Sequence, residues 1–324
     1  MPKLELIDTT SKVLKPYLFH GLDFQIGDKE AVDDCPFCGR EGKFSVNIVT
    51  GKYRCWVPGC PGMNDQGGGN VALFLQRLHE VSMESTSNYE SFRLDRGYLE
   101  AATMKAWGIC RSNTTRDWIM SGYGANGCLA QVYRYIRTDE GMRWIPTPEI
   151  GHRLHGVNLY NKSGDEVFLC EGQGDGPALW EVLASTKRVG ADLLPTSDAR
   201  SSLLSEASVL AVPGAGTFNE AWLPLFAGKY VRLMYDNDHP KRFCPSCKKN
   251  WNTALNLACP LCGRQDGQDS VGAGLAGMRR VAKILFQANP IPKEVLYLKW
   301  GDLGYDGTLD DGADVRDILC KGLA

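Results

Sequence analysis

The sequence predicts an α/β protein whose C-terminal half is a mostly parallel sheet with flanking helices. A mixed α+β basic subdomain and an N-terminal zinc ribbon precede it, and a second zinc ribbon interrupts it. Three observations predict this. Strand-like and helix-like runs alternate from Gly164 onward. Eight of the twelve cysteines fall into two tight clusters of four. Two apolar runs, Val167–Cys170 and Tyr230–Tyr235, each deliver carboxylates at their ends, Glu171 in the first and Asp236 and Asp238 in the second.

At 324 residues the chain is long enough for two or three folding units. Its 43% hydrophobic and 23% charged content is that of an ordinary globular protein. A formal net charge of −2 argues against wholesale coating of nucleic acid, although a local basic surface can stand beside an acidic site. No apolar run is long enough to span a membrane, and Met1–Lys15 mixes charges with apolar residues, unlike a signal peptide. The expected setting is a reducing cytoplasm, where clustered cysteines bind metal rather than forming disulfides.

Residues 1–30 carry few signals and read as a short lead-in to a first domain of residues 1–86. Cys35-Pro-Phe-Cys38 and Cys55-Trp-Val-Pro-Gly-Cys60 then supply two knuckles. Between them, Lys43–Val49 and Lys52–Trp56 read as a hairpin around Thr50-Gly51. Four thiolates on two knuckles make a closed tetrahedral Zn²⁺ site with no open position, so its role is structural or recognitional. Gly67-Gly68-Gly69 reads as a flexible joint, and Asn70 as the cap of a helix over Val71–Val81. Ser87–Glu90 reads as a linker to the basic subdomain, residues 87–163.

From Ser91 to Ser163 there are ten Lys and Arg against six Asp and Glu. Arg134, Arg137, Arg143 and Arg153 are interleaved with Tyr133, Tyr135, Trp144 and His152. Alternation over Val132–Ile136 predicts a strand with Arg134 on one face and aromatics on the other. Such a surface suits backbone phosphates and stacked single-stranded bases. It equally suits a solvated β-face with snorkelling arginines.

The last unit, residues 164–324, reads as strand 166–170, helix 176–184, strand 208–212, helix near 217–226, strand 230–235, helix 274–287 and strand 294–299. Residues at i and i+2 of an extended segment point the same way, so Asp236 and Asp238 can share one ligand. Acids at the carboxyl ends of such strands sit where open α/β sheets place their active sites, and Mg²⁺ with phosphates suits several of them together. Residues 240–268 carry Cys244-Pro-Ser-Cys247 and Cys259-Pro-Leu-Cys262 with eleven residues between, a strong zinc-ribbon spacing. Asp314-Val-Arg-Asp317 closes an acid-rich tail before a short apolar helix, Ile318–Leu323. Asp314 and Asp317 fit either the metal site or the capping of that helix.

In this order the motifs resemble the bacterial and phage DNA primases of the DnaG type, over about residues 30–320. Cys35–Cys60 with its trailing helix looks like the family's N-terminal zinc ribbon. Asp95-Arg-Gly-Tyr-Leu-Glu-Ala-Ala-Thr-Met-Lys-Ala-Trp-Gly-Ile109 is similar to the start of the primase polymerase domain. Glu171-Gly-Gln-Gly-Asp175 and Asp236-Asn-Asp238 match the two Toprim motifs, and Asp314-Val-Arg-Asp317 the closing acidic motif. Three features depart from the family plan: four cysteines without a histidine in the first ribbon, the 65-residue separation of Glu171 from Asp236, and the second ribbon after Asp238.

The resemblance implies a primase-type nucleotidyltransferase that makes short RNA primers on single-stranded DNA from ribonucleoside triphosphates. It implies Mg²⁺ or Mn²⁺ held by Asp236 and Asp238, with Asp314 in support and Asp175 and Asp317 as secondary candidates. Glu171 is either a further ligand or the general base. Arg96, Arg134, Arg137, Arg143 and Arg153 would hold template or triphosphate. The host compartment would be a bacterial or phage-infected cytoplasm. No GxxxxGK[ST] loop is present, so a separate replicative helicase is the expected partner. A Toprim nuclease and a non-catalytic recombination mediator are the alternatives. The inserted ribbon would touch template through Lys241, Arg242, Lys248, Lys249 and Arg264, dock a partner, or act as a staple.

Overall fold

The computed structural model describes residues 12–63, 67–92, 99–139, 141–184, 207–239, 241–253, 256–297 and 313–317. The chain divides into two units, Met1–Arg153 and Leu154–Ala324.

In the first unit, strands β1 (Gln25–Ile26), β2 (Glu30–Asp33), β3 (Phe44–Asn47) and β4 (Tyr53–Cys55) form an antiparallel sheet in sequence order. The expected hairpin is β3–β4. The Asn47 side chain accepts from the backbone N–H of Val49 and Thr50 and from the Thr50 hydroxyl, which closes the turn before Gly51. Helix α2 (Val71–Ser85) follows α1 (Lys15–Phe19), and Asn70 caps α2 by accepting from Leu73 N at 3.1 Å. Beyond it lie α3 (Ala101–Ala106) and a second antiparallel sheet: β5 (Ile109–Arg111), β6 (Trp118–Tyr123), β7 (Leu129–Thr138) and β8 (Gly141–Pro146).

Three expectations for this unit are corrected. Residues 12–30 contribute to the core rather than forming a mere lead-in: Leu14 and Tyr17 are buried, and the Tyr17 ring lies 4.7 Å from that of Phe74. The glycine run is no free joint, because Gly69 exchanges two backbone hydrogen bonds with Tyr53. A Cβ at Gly68 would stand 2.1 Å from the Tyr53 carbonyl oxygen, so only glycine permits that approach. The expected boundary near residue 87 falls inside this unit. Cys110, Ile119 and Val132 of the second sheet share one core with Phe44, Tyr53 and Phe74. His79 of α2 bonds the Gly108 carbonyl, and the Asn113 amide donates to the Pro36 carbonyl.

His20 lies in this core with its Nε2 2.8 Å from the Thr147 hydroxyl. Burial first, and the Arg134 charge second, push its pKa down to about 3. The unfolded chain binds a proton near the ordinary value of about 6.5, whereas the folded chain does not until far lower pH. Above about 6.5 the group is therefore neutral in both states. Below it, stability falls by up to about 1.4 kcal/mol per pH unit until the folded value is reached. We expect His20→Gln to flatten the acid limb of denaturant midpoints measured between pH 7 and pH 4. An unchanged limb would show that His20 is not its source.

The second unit is built on a four-stranded, all-parallel sheet of order β10-β9-β11-β15: β9 (Glu166–Glu171), β10 (Ala207–Val212), β11 (Tyr230–Met234) and β15 (Glu294–Tyr297). Strand β10 is buried at every position, as a doubly covered parallel strand must be. Helix α4 (Asp175–Ala184) packs against β9 and β10, and α5 (Ala273–Phe286) packs against β15. The helix expected near 217–226 is instead a 3₁₀ helix, Glu220–Leu225. Pro224 lies inside it, lacks an N–H and would clash with the carbonyl four residues back in an α-helix. Residues 154–163 belong to this unit rather than to the basic subdomain: His155 exchanges backbone hydrogen bonds with Ala211, and the Tyr160 hydroxyl donates to the Leu225 carbonyl.

The insertion forms its own antiparallel sheet of order β13-β12-β14, from β12 (Lys241–Phe243), β13 (Asn250–Asn252) and β14 (Gln268–Ser270). Among the described residues no helix is long and apolar enough to cross a membrane. The expected helix Ile318–Leu323, residues 301–312 of the tail and the long connection 185–206 lie outside the described residues.

Candidate active site at the carboxyl edge of the parallel sheet

Strands β9 and β11 run side by side in parallel with Cys170 opposite Met234. Both therefore end at the same edge. Glu171 closes β9, and Asp236 and Asp238 follow the buried Tyr235. Asn237 pairs with Ala313 across an antiparallel bridge, which returns Asp314 to this edge.

Helix α5 completes the site through two glycines. A Cβ at Gly274 would stand 2.7 Å from Glu171 Oε2, 3.0 Å from Asp238 Oδ2 and 3.3 Å from Asp236 Cβ. One at Gly272 would lie 2.2 Å from the Asp238 carboxyl carbon. The start of the helix is thus bare so that three acids can close on it. Gly272, the N-cap, has no side chain to cap α5, and Asp238 Oδ2 takes that part by accepting from Leu275 N at 3.0 Å.

The electrostatics are those of crowded carboxylates. Burial, then the Asp238 charge, pushes Glu171 up to about 7, and backbone N–H groups of Asp236 and Ala215 pull against this. Asp236 is pushed up to about 8 by burial and then by Glu171, Asp314 and Asp238. Asp175, at the start of α4, is raised well above the carboxylate range by burial and then by Asp314 and Asp236. Such a cluster favours either protons or a cation. Glu171 Oε2 is buried without a hydrogen-bond partner among the described residues, and a divalent ion bound by oxygen would satisfy it. The donor set is all oxygen, which fits Mg²⁺ or Mn²⁺. The carboxylates are spread more widely than the cysteine ligands, since among the described residues only the two cysteine quartets gather their donor atoms within 4.8 Å. That spread suits Mg²⁺, which is held through one or two carboxylates and keeps water or phosphate on its other positions.

Asp314 and Asp317 cap the short turn they begin. Asp317 N donates to Asp314 Oδ1 at 2.9 Å, and Asp314 N to Asp317 Oδ2 at 3.2 Å. Arg316 donates to Asp314 Oδ2 at 2.6 Å and reaches Gly174, placing one cation beside Asp314 and near Asp175. In the sequence, the only signal for Arg316 is its place between two acids.

The eight cysteines expected as metal ligands form two quartets that could each hold a metal ion, Cys35, Cys38, Cys55 and Cys60 in the first unit and Cys244, Cys247, Cys259 and Cys262 in the insertion. Four sulfurs within 4.8 Å of one another fit Zn²⁺. The basic residues are less concerted. Arg134 is engaged internally, with its guanidinium paired to Asp117 and donating to the Phe19 carbonyl. Register places Arg143 opposite Ile136, hence on the face of Arg134, whereas Arg137 shares the face of Tyr133 and Tyr135. Arg153 bonds the carbonyls of Gly151 and His152, and Arg96 lies outside the described residues. In the insertion, Arg242 pairs with Asp269, Arg264 with Asp266, and Lys241 with Asp238 at 3.7 Å.

No protein-family profile and no curated protein matches the chain. Among solved structures, the catalytic core of DnaG aligns with 76% of this chain and 74% of its own, at 13% identity and a TM-score of 0.44. The chain is similar to primase cores. The E. coli primase catalytic core covers 75% of this chain and 74% of its own at 12% identity and TM-score 0.43. The primase fragment of the bacteriophage T7 primase-helicase protein covers 83% and 89% at 13% identity and TM-score 0.36.

Proposed function

We propose that the chain is a DNA primase that joins ribonucleotides on single-stranded DNA by metal-dependent nucleotidyl transfer. The observation that carries this reading is the convergence of Glu171, Asp236 and Asp238 on the bare start of α5, at the carboxyl edge of a parallel sheet. The ordered resemblance of the motifs, from the first ribbon to Asp317, separates this reading from a nuclease or a recombination mediator.

In the reaction a 3′-hydroxyl attacks an α-phosphate and pyrophosphate leaves. Mg²⁺ or Mn²⁺, when bound, supplies charge neutralisation and alignment of the attacking and leaving oxygens. Asp236 and Asp238 are the residues to hold it, with Asp314 behind them. Glu171, held near neutrality by burial, suits a group that accepts the hydroxyl proton, and its unpartnered Oε2 suits a ligand equally well. Arg316 offsets the negative charge at Asp314, and Asp175 is a supporting residue. Arg137, Arg143 and Arg153 remain candidates for template or triphosphate.

The first ribbon suits template reading. Trp56 is exposed, and the Arg54 guanidinium lies 4.2 Å from its ring centre. They line a hollow of about 680 Å³ with Lys52 and Asn47. Aromatic and guanidinium planes of this kind stack single-stranded bases.

The test is incubation with single-stranded DNA, labelled ribonucleotides and Mg²⁺ or Mn²⁺. Short labelled RNA is the expected product. Degraded DNA would favour the nuclease, and DNA binding without either product would favour the mediator.

A further inference from the structure

We propose that the inserted Cys₄ ribbon is a positioning element for Asp238, holding that carboxylate at the start of α5 through Asn252 and His239. The proposal rests on Asp238 being a metal-binding carboxylate of the function above.

The insertion leaves the sheet directly after Asp238 and returns directly before Gly272. Asp238 therefore stands where the insertion departs and beside the helix it leads back into. On the outgoing side, Lys241 Nζ lies 3.7 Å from Asp238 Oδ1. On the returning side, Leu275 N donates to Asp238 Oδ2. Lys241 is locked in the central strand of the ribbon sheet, opposite Asn252 on one flank and Ser270 on the other. The two exits are thus fixed at one spacing by the ribbon sheet itself.

A second link runs through His239. Its Nδ1 is 3.0 Å from Asn252 Nδ2, on strand β13 of the ribbon, and its Nε2 is 3.4 Å from Asn237 Nδ2, between the two acids. A neutral imidazole accepts at one nitrogen and donates at the other. The shorter contact, Asn252 donating to Nδ1, uses the ring's one acceptor nitrogen and leaves the proton on Nε2, so the bond that holds the ring is the one from the ribbon. Asn237 is itself held by its backbone bond to Ala313. The ribbon therefore grips the chain at His239, the residue after Asp238, through Asn252, and at Asp238 itself through Lys241.

A ribbon that only staples its own excursion, or only docks a partner, needs none of these contacts. Among the described residues the ribbon's own core is small, with Cys244, Trp251 and Cys259 buried in it. Its shape, and so the spacing of its exits, depends on the four thiolates being tied together.

The test uses the full chain and the neutral substitution Asn252→Ala, which changes no charge near the acids. Two readouts are taken with zinc content measured at two ions per chain. The first is hydrogen exchange of the Leu275 amide, which lies in the first turn of α5, lacks an intrahelical acceptor and has Asp238 as its partner. The second is Mn²⁺ affinity without nucleotide or DNA. We expect Leu275 exchange to accelerate by about tenfold, and Mn²⁺ to bind about tenfold more weakly, as is usual when a group behind a ligand is lost. Cys262→Ser, which removes an exposed ligand of the inserted ribbon, should move both readouts the same way. Unchanged exchange and unchanged Mn²⁺ affinity in both variants would overturn the proposal. If the unmodified chain fails to bind Mn²⁺, the proposed function falls, and Leu275 exchange still decides whether the ribbon positions Asp238.

Discussion

Asp238→Asn is expected to abolish primer synthesis while sparing the fold and the binding of single-stranded DNA. The substitution is isosteric, and the amide oxygen can still accept from Leu275 N, so α5 keeps its cap. What disappears is one negative charge from the set proposed to hold a divalent ion. Loss of a residue behind a metal ligand already costs 10–100-fold, so loss of a ligand should cost at least about 10²-fold in rate. Labelled RNA production against DNA-binding anisotropy checks this. A variant that makes primers at the unmodified rate would remove Asp238 from the catalytic centre. A variant that loses DNA binding in the same measure would show that the carboxylate supports the fold instead.

Much of this site can be read in the sequence because its determinants are local. A strand ending in an acid is visible in a window of six residues, and Cys-x-x-Cys fixes a knuckle by spacing alone. The β3–β4 hairpin is legible through Thr50-Gly51, and the structure adds Asn47, whose side chain closes the turn beside the positive φ of Gly51 without tertiary help. Other features depend on contacts between distant residues. Nothing in the local composition marks Gly272 and Gly274 as the floor of the acid cluster, because the clash they avoid is with Asp238 and Glu171, 34 to 103 positions earlier. Arg316 acquires meaning only once the tail returns beside Gly174. The glycine run 67–69 reads as a joint from composition, yet the same lack of a Cβ is what lets it dock on Tyr53. Interleaved arginines likewise suggest one basic face, whereas strand register divides them between two.

The two ribbons use the same chemistry to different ends, and zinc loss should separate them. In the first, Cys35, Cys55 and Cys60 belong to a core with Tyr17, Phe44, Tyr53 and Phe74 that extends to Ile119 and Val132. Burial pushes the Cys60 thiol up to about 12 and the Cys35 thiol higher still, so thiolates persist there only beside a cation. Structural zinc of this type contributes on the order of 10 kcal/mol in small domains, and losing one ligand forfeits a large part of it. Cys60→Ser should therefore destabilise the whole first unit by several kcal/mol, or roughly 10 °C or more in its thermal midpoint. The inserted ribbon has a small separate core, so Cys262→Ser should unfold it locally and leave the midpoint of the first unit within about 2 °C of the unmodified chain. Differential scanning calorimetry with zinc content measured in parallel distinguishes the two. Equal shifts from both substitutions would mean that the first ribbon is no more integral to its core than the second.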